Sequence, residues 1–439
     1  MQKHKIVDKA YLLPFILVTA LFYMWALPNN LNDILIPQFM KSFELNRLQA
    51  GLVQSAFYLG YFIFALPAAY IMDRYNYKTG LIVGLLLFAI GAYMFYPAAI
   101  LGTYGLFLAA LFVIASGLAF LETGSNSFIS VLGDPASSAQ RLNFSQSFNP
   151  LGAMTGVAIG NIFIFSGIEH SDAQIAALKA AGTYQTYLHQ EIMRVIPPYM
   201  VIGALILLWA VLIARTKFPS EAELTTHKKS NDDKTASHGH ILQLLKYPHF
   251  IKGVVAQFFY VGAQVGTWSF LIQYVKDYMH RPEKEAGAFL FVALLAFGIG
   301  RFVSTALMSK VAPNKLMTLY AVINACLLFL AIAHPGLFGA CGLVLSSFFM
   351  SLMFPTIFAL GVKGLGPNTK IGGSFIIMAI IGGAVWTPIM GLISDQTHSM
   401  ALAMIIPFIA YLYIIFYARI GYKPAGPLYE TDEAVIVSH

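Results

Sequence analysis

The sequence predicts an all-α membrane protein with twelve transmembrane helices arranged as two six-helix halves. Of its 439 residues, 58% are apolar and only 11% are charged, whereas roughly 25% of the residues of a soluble domain are charged. The apolar residues fall in runs of about 20, the length that crosses a bilayer as a helix. The chain is therefore expected to lie in a lipid bilayer. Its net charge of +7 indicates basic loops rather than binding to nucleic acid.

Twelve apolar runs lie between clusters of charged and polar residues. In chain order they cover residues 11–37, 49–72, 79–99, 103–132, 143–167, 194–214, 250–275, 286–309, 316–333, 336–361, 371–394 and 400–418. The longest hydrophilic stretch inside the chain separates the sixth run from the seventh, as expected of a flexible linker. We therefore predict an N-terminal half at 1–215, a cytoplasmic linker at 216–248, and a C-terminal half with a short cytoplasmic tail at 249–439.

The basic residues predict how the chain is oriented. Most of the 27 Lys and Arg residues fall in segments that are cytoplasmic when the N-terminus is inside. Because positively charged loops stay in the cytoplasm, both termini are expected there. No small-residue cleavage site follows a short apolar segment near the N-terminus, so the first run is expected to remain as an anchor.

Cysteine usage argues against disulfides and metal sites. The two cysteines, Cys326 and Cys341, both lie in apolar runs and are interpreted as small buried hydrophobic residues. No Cys/His spacing typical of a metal site is present. Neither a metal nor another cofactor is expected.

Two short polar loops occupy matching positions in the two halves. Residues 73–78 separate the second run from the third, and residues 310–315 separate the eighth from the ninth. Taken alone, each loop is equally well explained as a topological anchor. Their matched positions favour a true six-helix repeat, as in transporters built from parallel halves. Asp73, Arg74 and Lys78 are therefore predicted to form a conformational loop.

Two carboxylates, Asp33 and Glu122, interrupt runs that are otherwise apolar. An ionisable side chain at membrane depth is costly unless it is paired, faces water, or loses its charge by binding a proton. All eleven histidines fall in termini, loops or the ends of runs, so Asp33 and Glu122 are the predicted proton-coupling residues. The alternative is a structural ion pair, for instance with Arg301.

Four runs carry polar and aromatic residues spaced three or four apart, which places them on one face of each helix. They are Trp25, Asn29, Asn30, Asn32 and Asp33 in the first run, Glu122, Ser125 and Asn126 in the fourth, Gln146 and Asn149 in the fifth, and Gln257, Tyr260, Gln264 and Trp268 in the seventh. Amides donate and accept hydrogen bonds, as sugar hydroxyls require, and aromatic rings suit the C–H face of a sugar. These stripes are predicted to converge on a monosaccharide. The alternative is that the amides join helices.

The chain lacks the motifs of several enzyme and pump classes. It has no phosphate-binding loop ending in Gly-Lys-Ser/Thr, no His-Glu-x-x-His pair and no Gly-x-Ser-x-Gly turn. We therefore expect a transporter and not an enzyme. A sugar-sensing receptor would need an output domain, and a drug-efflux protein would carry a more apolar pocket.

Six segments in order resemble the L-fucose:proton symporter family of the major facilitator superfamily, which includes glucose/galactose and N-acetylglucosamine permeases. They read WALPNNLND at 25–33, QAGLVQSAFY at 49–58, LETGSN at 121–126, RLNFSQSFN at 141–149, AQFFYVGAQ at 256–264 and FPTIF at 354–358. The resemblance implies a monomeric proton-coupled sugar symporter of the bacterial inner membrane that works by alternating access. A sodium-coupled or uncoupled sugar carrier of the same fold is the alternative.

The resemblance also implies roles for particular residues. By motif, Asp33 resembles the family's proton-coupling aspartate, and Glu122 resembles a glutamate involved in both sugar recognition and coupling. Asn30, Gln146 and Asn149 similarly match residues that line the sugar site. The segment SFNPLG at 147–152 looks more like the glucose/galactose and amino-sugar branch than the fucose permeases, so the expected substrate is L-fucose or a related hexose or amino sugar.

Overall fold

The computed structural model describes residues 11–132, 141, 144–168, 170–219, 244–308, 310–365 and 369–424. Across these residues the regular elements are helices. They form two compact units, the first from the described parts of Met1–Lys229 with Arg281–Phe291, and the second from those of Ser230–His280 and Val292–His439. Most of the predicted linker, 220–243, and most of the predicted tail, 425–439, lie outside the described residues.

The helices are numbered in chain order. They are α1 (Leu12–Ser42), α2 (Arg47–Arg74), α3 (Tyr77–Ile100), α4 (Tyr104–Val131), α5 (Asn149–Ile159), α6 (Asp172–Ala180), α7 (Tyr184–Met193), α8 (Ile196–Arg215), α9 (Pro248–Met279), α10 (Glu283–Met308), α11 (Pro313–Ala333), α12 (Leu337–Met350), α13 (Met353–Val362), α14 (Thr369–Met378), α15 (Gly382–Thr397), α16 (Met400–Ala403) and α17 (Ile405–Phe416). A π-helical turn, Gly160–Ile164, extends α5, and another, Tyr417–Gly421, extends α17. A 3-10 turn, Ala379–Ile381, joins α14 to α15.

Ten helical segments in the described part of the chain are long and apolar enough to cross a membrane. Two further predicted runs correspond to shorter or more polar helices. The fifth run is α5, which has 11 residues before its π-helical turn. The seventh is α9, a helix of 32 residues whose glutamines and charged ends lower its mean hydropathy. The all-helical prediction is confirmed.

Several predicted runs are interrupted in the structure. The sixth run, 194–214, corresponds to α8, and the structure adds a separate helix, α7, that ends at Met193 just before it; two prolines lie at the start of α8, where a missing N–H is tolerated. The tenth run divides between α12 and α13. There Pro355 has no N–H to donate to the carbonyl of Ser351, so a continuous helix is disfavoured. These breaks explain why the predicted boundaries differ from the observed ones.

Three glycines at intervals of four bring α5 against α1 in the first unit. A Cβ added to Gly156 would lie 2.5 Å from the carbonyl oxygen of Leu27, and one added to Gly160 would lie 2.8 Å from Cγ1 of Ile34. A Cβ added to Gly152 would lie even closer to the carbonyl oxygen of Tyr23. We call Gly152, Gly156 and Gly160 the glycine seam. Small residues of this kind let transmembrane helices approach closely.

A buried ion cluster lies at the C-terminal end of α1 in the first unit. The Nζ of Lys41 is 3.0 Å from Oε2 of Glu191 and 3.8 Å from Oε2 of Glu283. Lys41 also donates to Ser166 Oγ at 3.2 Å and to the carbonyl oxygen of Ile168 at 3.1 Å. Glu191 and Glu283 are buried. One ammonium group therefore joins α1, α7, the end of the α5 segment and the first turn of α10.

In the second unit, α9 packs against α13, α15 and α17, and α11 packs against α12 and α17. The Tyr274 hydroxyl donates to the carbonyl oxygen of Ala331 at 2.7 Å and so links α9 to α11. The prediction that the cysteines are buried is wrong. Cys326 and Cys341 are free and exposed, because they lie on outer helix surfaces that would face lipid.

Candidate functional site

Asp33 lies in α1, within a stretch bounded by two prolines inside the helix, Pro28 and Pro37. Each proline lacks the N–H that would bond the carbonyl four residues earlier, so two backbone carbonyls in this part of the helix lose their usual hydrogen bond. Asp33 is only 4% exposed. Its Oδ1 accepts a hydrogen bond from Nε2 of Gln54 at 2.8 Å. The predicted proton-coupling carboxylate is therefore held by a neutral amide on α2.

Glu122 lies in α4 and is half-buried. It shares a hydrogen bond with the hydroxyl of Tyr61 on α2. Tyr58, also on α2, interacts electrostatically with both Asp33 and Glu122. In the first unit α2 packs against both α1 and α4. The two predicted carboxylates therefore approach the same face of α2, and a buried tyrosine lies near both.

The remaining residues of the α1 stripe have different surroundings. Asn32 is fully buried, and its amide makes no hydrogen bond to the described residues. Asn30 donates from Nδ2 to the carbonyl oxygen of Ala26 at 2.9 Å, a bond inside its own helix. Trp25 is buried against Phe22, with ring centroids 4.4 Å apart. An unsatisfied buried amide is costly in an apolar environment, so Asn32 is the most unusual member of this stripe.

The amides of the fourth and fifth runs meet in the first unit. Gln146 donates from Nε2 to Oδ1 of Asn126 at 3.2 Å, which joins α4 to the segment before α5. This contact favours the helix-joining alternative for Gln146, while leaving its carbonyl oxygen available to a ligand. Asn149 begins α5 and is half-buried.

In the second unit, the residues of the α9 stripe differ in their hydrogen bonding. The Tyr260 hydroxyl donates to the carbonyl oxygen of Met350 at 3.0 Å, and the Trp268 indole N–H donates to Ser347 Oγ at 3.0 Å. Both contacts fix α9 to α12. Gln257 is fully buried, and neither end of its amide is hydrogen-bonded to the described residues. Gln264 is half-buried.

Arg301 lies on α10 in the second unit, close to this stripe. Its guanidinium carbon is 5.5 Å from the centroid of the Phe297 ring, and its charge interacts with Tyr260. The Phe297 ring in turn contacts Trp268 edge to face, with centroids 5.1 Å apart. Cation–π contacts of this kind stabilise a charge in partly apolar surroundings. A group of three or more metal-binding side chains is not found among the described residues.

Comparison with known proteins identifies the family. The Major Facilitator Superfamily profile matches residues 15–372. The chain belongs to the major facilitator superfamily. It is 42% identical to the L-fucose-proton symporter of Escherichia coli over 95% of this chain and 96% of that protein. It is 35% identical to a glucose/galactose transporter of Brucella abortus, over 92% of this chain and 93% of that protein.

A solved structure supports the same assignment. The crystal structure of the E. coli fucose:proton symporter is 41% identical, has a TM-score of 0.68, and covers 94% of this chain and 99% of that one. The predicted resemblance to the fucose:proton symporter family is confirmed. The chain is thus a multi-pass membrane protein of a transporter family, as predicted, and its relatives are not enzymes.

The predicted conformational loop at 73–78 of this major facilitator protein is largely helical, since Arg74 ends α2 and Lys78 lies in the first turn of α3, from which it contacts the end of α8. Lys78 donates from Nζ to the carbonyl oxygens of Ala214 at 2.8 Å and Thr216 at 2.9 Å. A cation at the C-terminus of a helix satisfies carbonyls that have no partner within the helix. Arg74 donates to the Tyr70 hydroxyl at 3.0 Å. The backbone of Asp73 is helical, but its side chain lies outside the described part of the structure.

Three residues of α2 were missed by the sequence analysis as site residues. Gln54, Tyr58 and Tyr61 are spaced four and three apart and share one helical face. The same spacing rule that selected the stripes of the other runs identifies them. They were overlooked because tyrosine in an apolar run is usually interpreted as packing or interfacial anchoring.

Proposed function

We propose that this chain is a proton-coupled symporter that imports L-fucose or a related hexose or amino sugar by alternating access. The observation that carries the proposal is the buried Asp33 carboxyl group bonded to Gln54 at 2.8 Å. An amide partner suits both forms of a carboxyl group, because its N–H donates to the carboxylate and its carbonyl oxygen accepts from the protonated acid. Asp33 can therefore bind and release a proton during the cycle, as expected of an ionisable group in a transport pathway.

Glu122 is the second proposed coupling residue, with an additional role in sugar recognition. Its hydrogen-bond partner is a phenol, which can donate to a carboxylate or accept from a carboxylic acid. This arrangement tolerates both protonation states. The names of the relatives support the pairing of sugar and proton, since the E. coli protein is an L-fucose-proton symporter and the Brucella protein a glucose/galactose transporter.

The proposed sugar ligands lie in both units. In the first unit they are Trp25, Asn30, Glu122, Gln146 and Asn149, and in the second unit Gln257, Tyr260, Gln264 and Trp268. Gln257 has the strongest support, because a fully buried amide without a protein hydrogen bond needs another partner. The loop of Asp73, Arg74 and Lys78 is proposed to change its contacts during transport.

The proposed cellular setting follows from the family and the charge distribution. We place the protein in the bacterial inner membrane as a monomer, with both termini in the cytoplasm. The bacterial relatives support the membrane, and the positions of the basic residues support the orientation. The proposed division into two six-helix halves and a cytoplasmic linker at 216–248 belongs to the same reasoning.

The decisive experiment is uptake into sodium-free proteoliposomes. Purified protein is reconstituted in potassium buffers, and an acid-outside pH gradient is imposed in the presence of labelled L-fucose, D-glucose, D-galactose or N-acetylglucosamine. Proton symport predicts that one or more of these sugars accumulates and that the outside medium becomes more alkaline. A protonophore added beforehand is the control and abolishes accumulation. Strict dependence on sodium, or equilibration without accumulation, would replace the proposal with a sodium-coupled or uncoupled carrier.

A further inference from the structure

Helix α2 carries a polar face that reaches both coupling carboxylates of the first unit. Gln54 lies at one end of this face and bonds Asp33, and Tyr61 lies at the other end and bonds Glu122. Tyr58 is four residues after Gln54 and three before Tyr61, so helical geometry places it between the two contacts. We call Gln54, Tyr58 and Tyr61 the α2 stripe.

The ring of Tyr58 is held in place by its packing. The side chain is buried, and the Phe57 ring contacts it edge to face with centroids 5.6 Å apart. Phe57 also contacts Tyr61, at 5.7 Å. The Tyr58 hydroxyl interacts electrostatically with both carboxylates. A phenol hydroxyl is both donor and acceptor and rotates about its C–O bond.

We propose that Tyr58 is a positioning residue that couples Asp33 to Glu122, by donating its hydrogen bond to whichever of the two carboxyl groups is charged. The inference rests on the proposed function, and it deepens that function by naming the group that links the two carboxylates. Hydrogen bonds to charged acceptors are stronger than those to neutral ones. When Asp33 takes up a proton, the hydroxyl therefore turns to Glu122, where sugar recognition is proposed to occur.

The charged and titratable groups around Tyr58 are few. Helix α1 contributes Asp33, α4 contributes Glu122, and α2 itself contributes Tyr61. Helix α3 also packs against α2, but its described residues contribute no charge that acts on Tyr58. A shared donor makes the two carboxyl groups titrate as a pair instead of independently.

The test is the pH profile of sugar affinity in Tyr58→Phe. The dissociation constant of the sugar that the wild type accumulates is measured between about pH 5 and pH 9 in detergent. Loss of one hydrogen bond to a charged group is expected to change proton affinity about 10-fold and so to move the midpoint of the profile upward by about one pH unit. The upward direction follows because the charged form loses a donor.

Tyr199→Phe is the matched control. Tyr199 is likewise a buried tyrosine, and its hydroxyl lacks a hydrogen bond to the described residues. Its ring stacks on Phe95 at 3.6 Å, and no carboxylate acts on it. This variant is expected to keep the wild-type midpoint. A midpoint in Tyr58→Phe within 0.2 pH units of the wild type, roughly a 1.6-fold change in proton affinity, would overturn the inference.

A second substitution covers the case in which Tyr58→Phe does not fold. Fluorinated tyrosine incorporated at position 58 keeps the ring but makes the hydroxyl a stronger donor, so the midpoint is expected to move downward. No movement in this protein would also overturn the inference. A wild type whose uptake ignores the pH gradient would instead overturn the proposed function itself. If wild-type uptake is driven by protons but the midpoint is unchanged in the position-58 variants, the proposed function holds and only the role of Tyr58 is rejected.

Discussion

At the scale of single residues, Asp33 and Glu122 each accept a hydrogen bond from a neutral side chain of α2. Gln54 bonds Asp33, and Tyr61 bonds Glu122. Lys41 provides the contrast, since it directly neutralises the buried Glu191 in the same unit. A carboxylate beside an ammonium group is held ionised, whereas one beside an amide or phenol retains the ability to change its charge. Glu191 is thus assigned to structure, while Asp33 and Glu122 remain the proposed coupling residues.

Asp33→Asn separates coupling from sugar movement. The substitution keeps the shape of the side chain and an oxygen that accepts from Gln54, but it removes the titration. Sugar exchange across proteoliposomes is expected to continue, while accumulation driven by a pH gradient is lost. Counterflow and gradient-driven uptake measured on the same preparation provide the comparison. Wild-type accumulation by this variant at acidic outside pH would contradict the assignment of Asp33.

Gln257 and Gln146 provide a paired test of ligand binding against helix joining. Because Gln257 has no described hydrogen-bond partner, Gln257→Leu is expected to weaken sugar binding by about 1 to 3 kcal/mol, roughly 5- to 150-fold, without lowering the melting temperature. Gln146 bonds Asn126, so Gln146→Leu should also lower stability, by about 0.6 kcal/mol. Titration calorimetry and thermal unfolding measure the two effects. Sugar affinity within twofold of wild type in Gln257→Leu would assign this amide to structure.

Sequence reasoning selects candidate residues where a local pattern carries the information. Asp33 and Glu122 stand out because charges are rare inside apolar runs, and the amide stripe of α9 follows from its spacing. It did not select Tyr58, because the nearness of this residue to two carboxylates depends on how α2 packs against α1 and α4. It also could not separate Gln146, which has an amide partner on α4, from Gln257, because hydrogen bonding depends on tertiary packing.

At the scale of helices, close packing in the first unit depends on glycines at positions that a Cβ would overfill. Gly156→Ala would force the methyl group against the Leu27 carbonyl oxygen, and overpacking is expected to cost about 1 to 3 kcal/mol. Gly105 in α4 has open space around it, so Gly105→Ala should instead stabilise by about 0.4 to 1 kcal/mol. Thermal unfolding in detergent measures both variants. Equal melting temperatures would show that α5 can move away from α1 at no cost.

The buried ion cluster around Lys41 leads to a second prediction at the scale of helices. Lys41→Met removes the ammonium group shared by the buried Glu191 and Glu283, and breaking a buried ion pair costs about 3 to 5 kcal/mol. Lys179 pairs with Glu44 at 3.7 Å with both side chains exposed, so Lys179→Met should cost at most about 1 kcal/mol. Chemical or thermal unfolding of the two variants provides the comparison. A smaller loss of unfolding free energy for Lys41→Met than for Lys179→Met would contradict this account of the cluster.

No sequence pattern predicts the Lys41 cluster, because its three charged members are far apart along the chain. Each is plausible as a residue at the edge of an apolar run, and only the fold brings them together. The sequence pattern likewise does not predict the breaks within helices. Pro355 was visible in the sequence, but transmembrane helices often continue through prolines, so the break before α13 required the structure.

At the scale of the whole molecule, the proposed orientation is testable by cysteine labelling. In a background with the exposed Cys326 and Cys341 changed to serine, Ala181→Cys lies in the segment between α6 and α7, and Lys217→Cys lies just after α8. Both parent residues are exposed. A membrane-impermeant maleimide is expected to label position 181 in intact cells and position 217 only after permeabilisation. The reverse result would invert the proposed topology.

The glycine seam has a mechanical consequence for the first unit. Gly156 of α5 lies against the backbone carbonyl of Leu27 in α1, and Gly160 lies against the side chain of Ile34. The contact with the Leu27 backbone cannot be relieved by a change of rotamer, so the two helices are expected to move together. Asp33 on α1 and Asn149 at the start of α5 then share a single displacement. If Asp33 binds a proton as proposed, its effect is expected to reach Asn149 through the shared movement of the two helices.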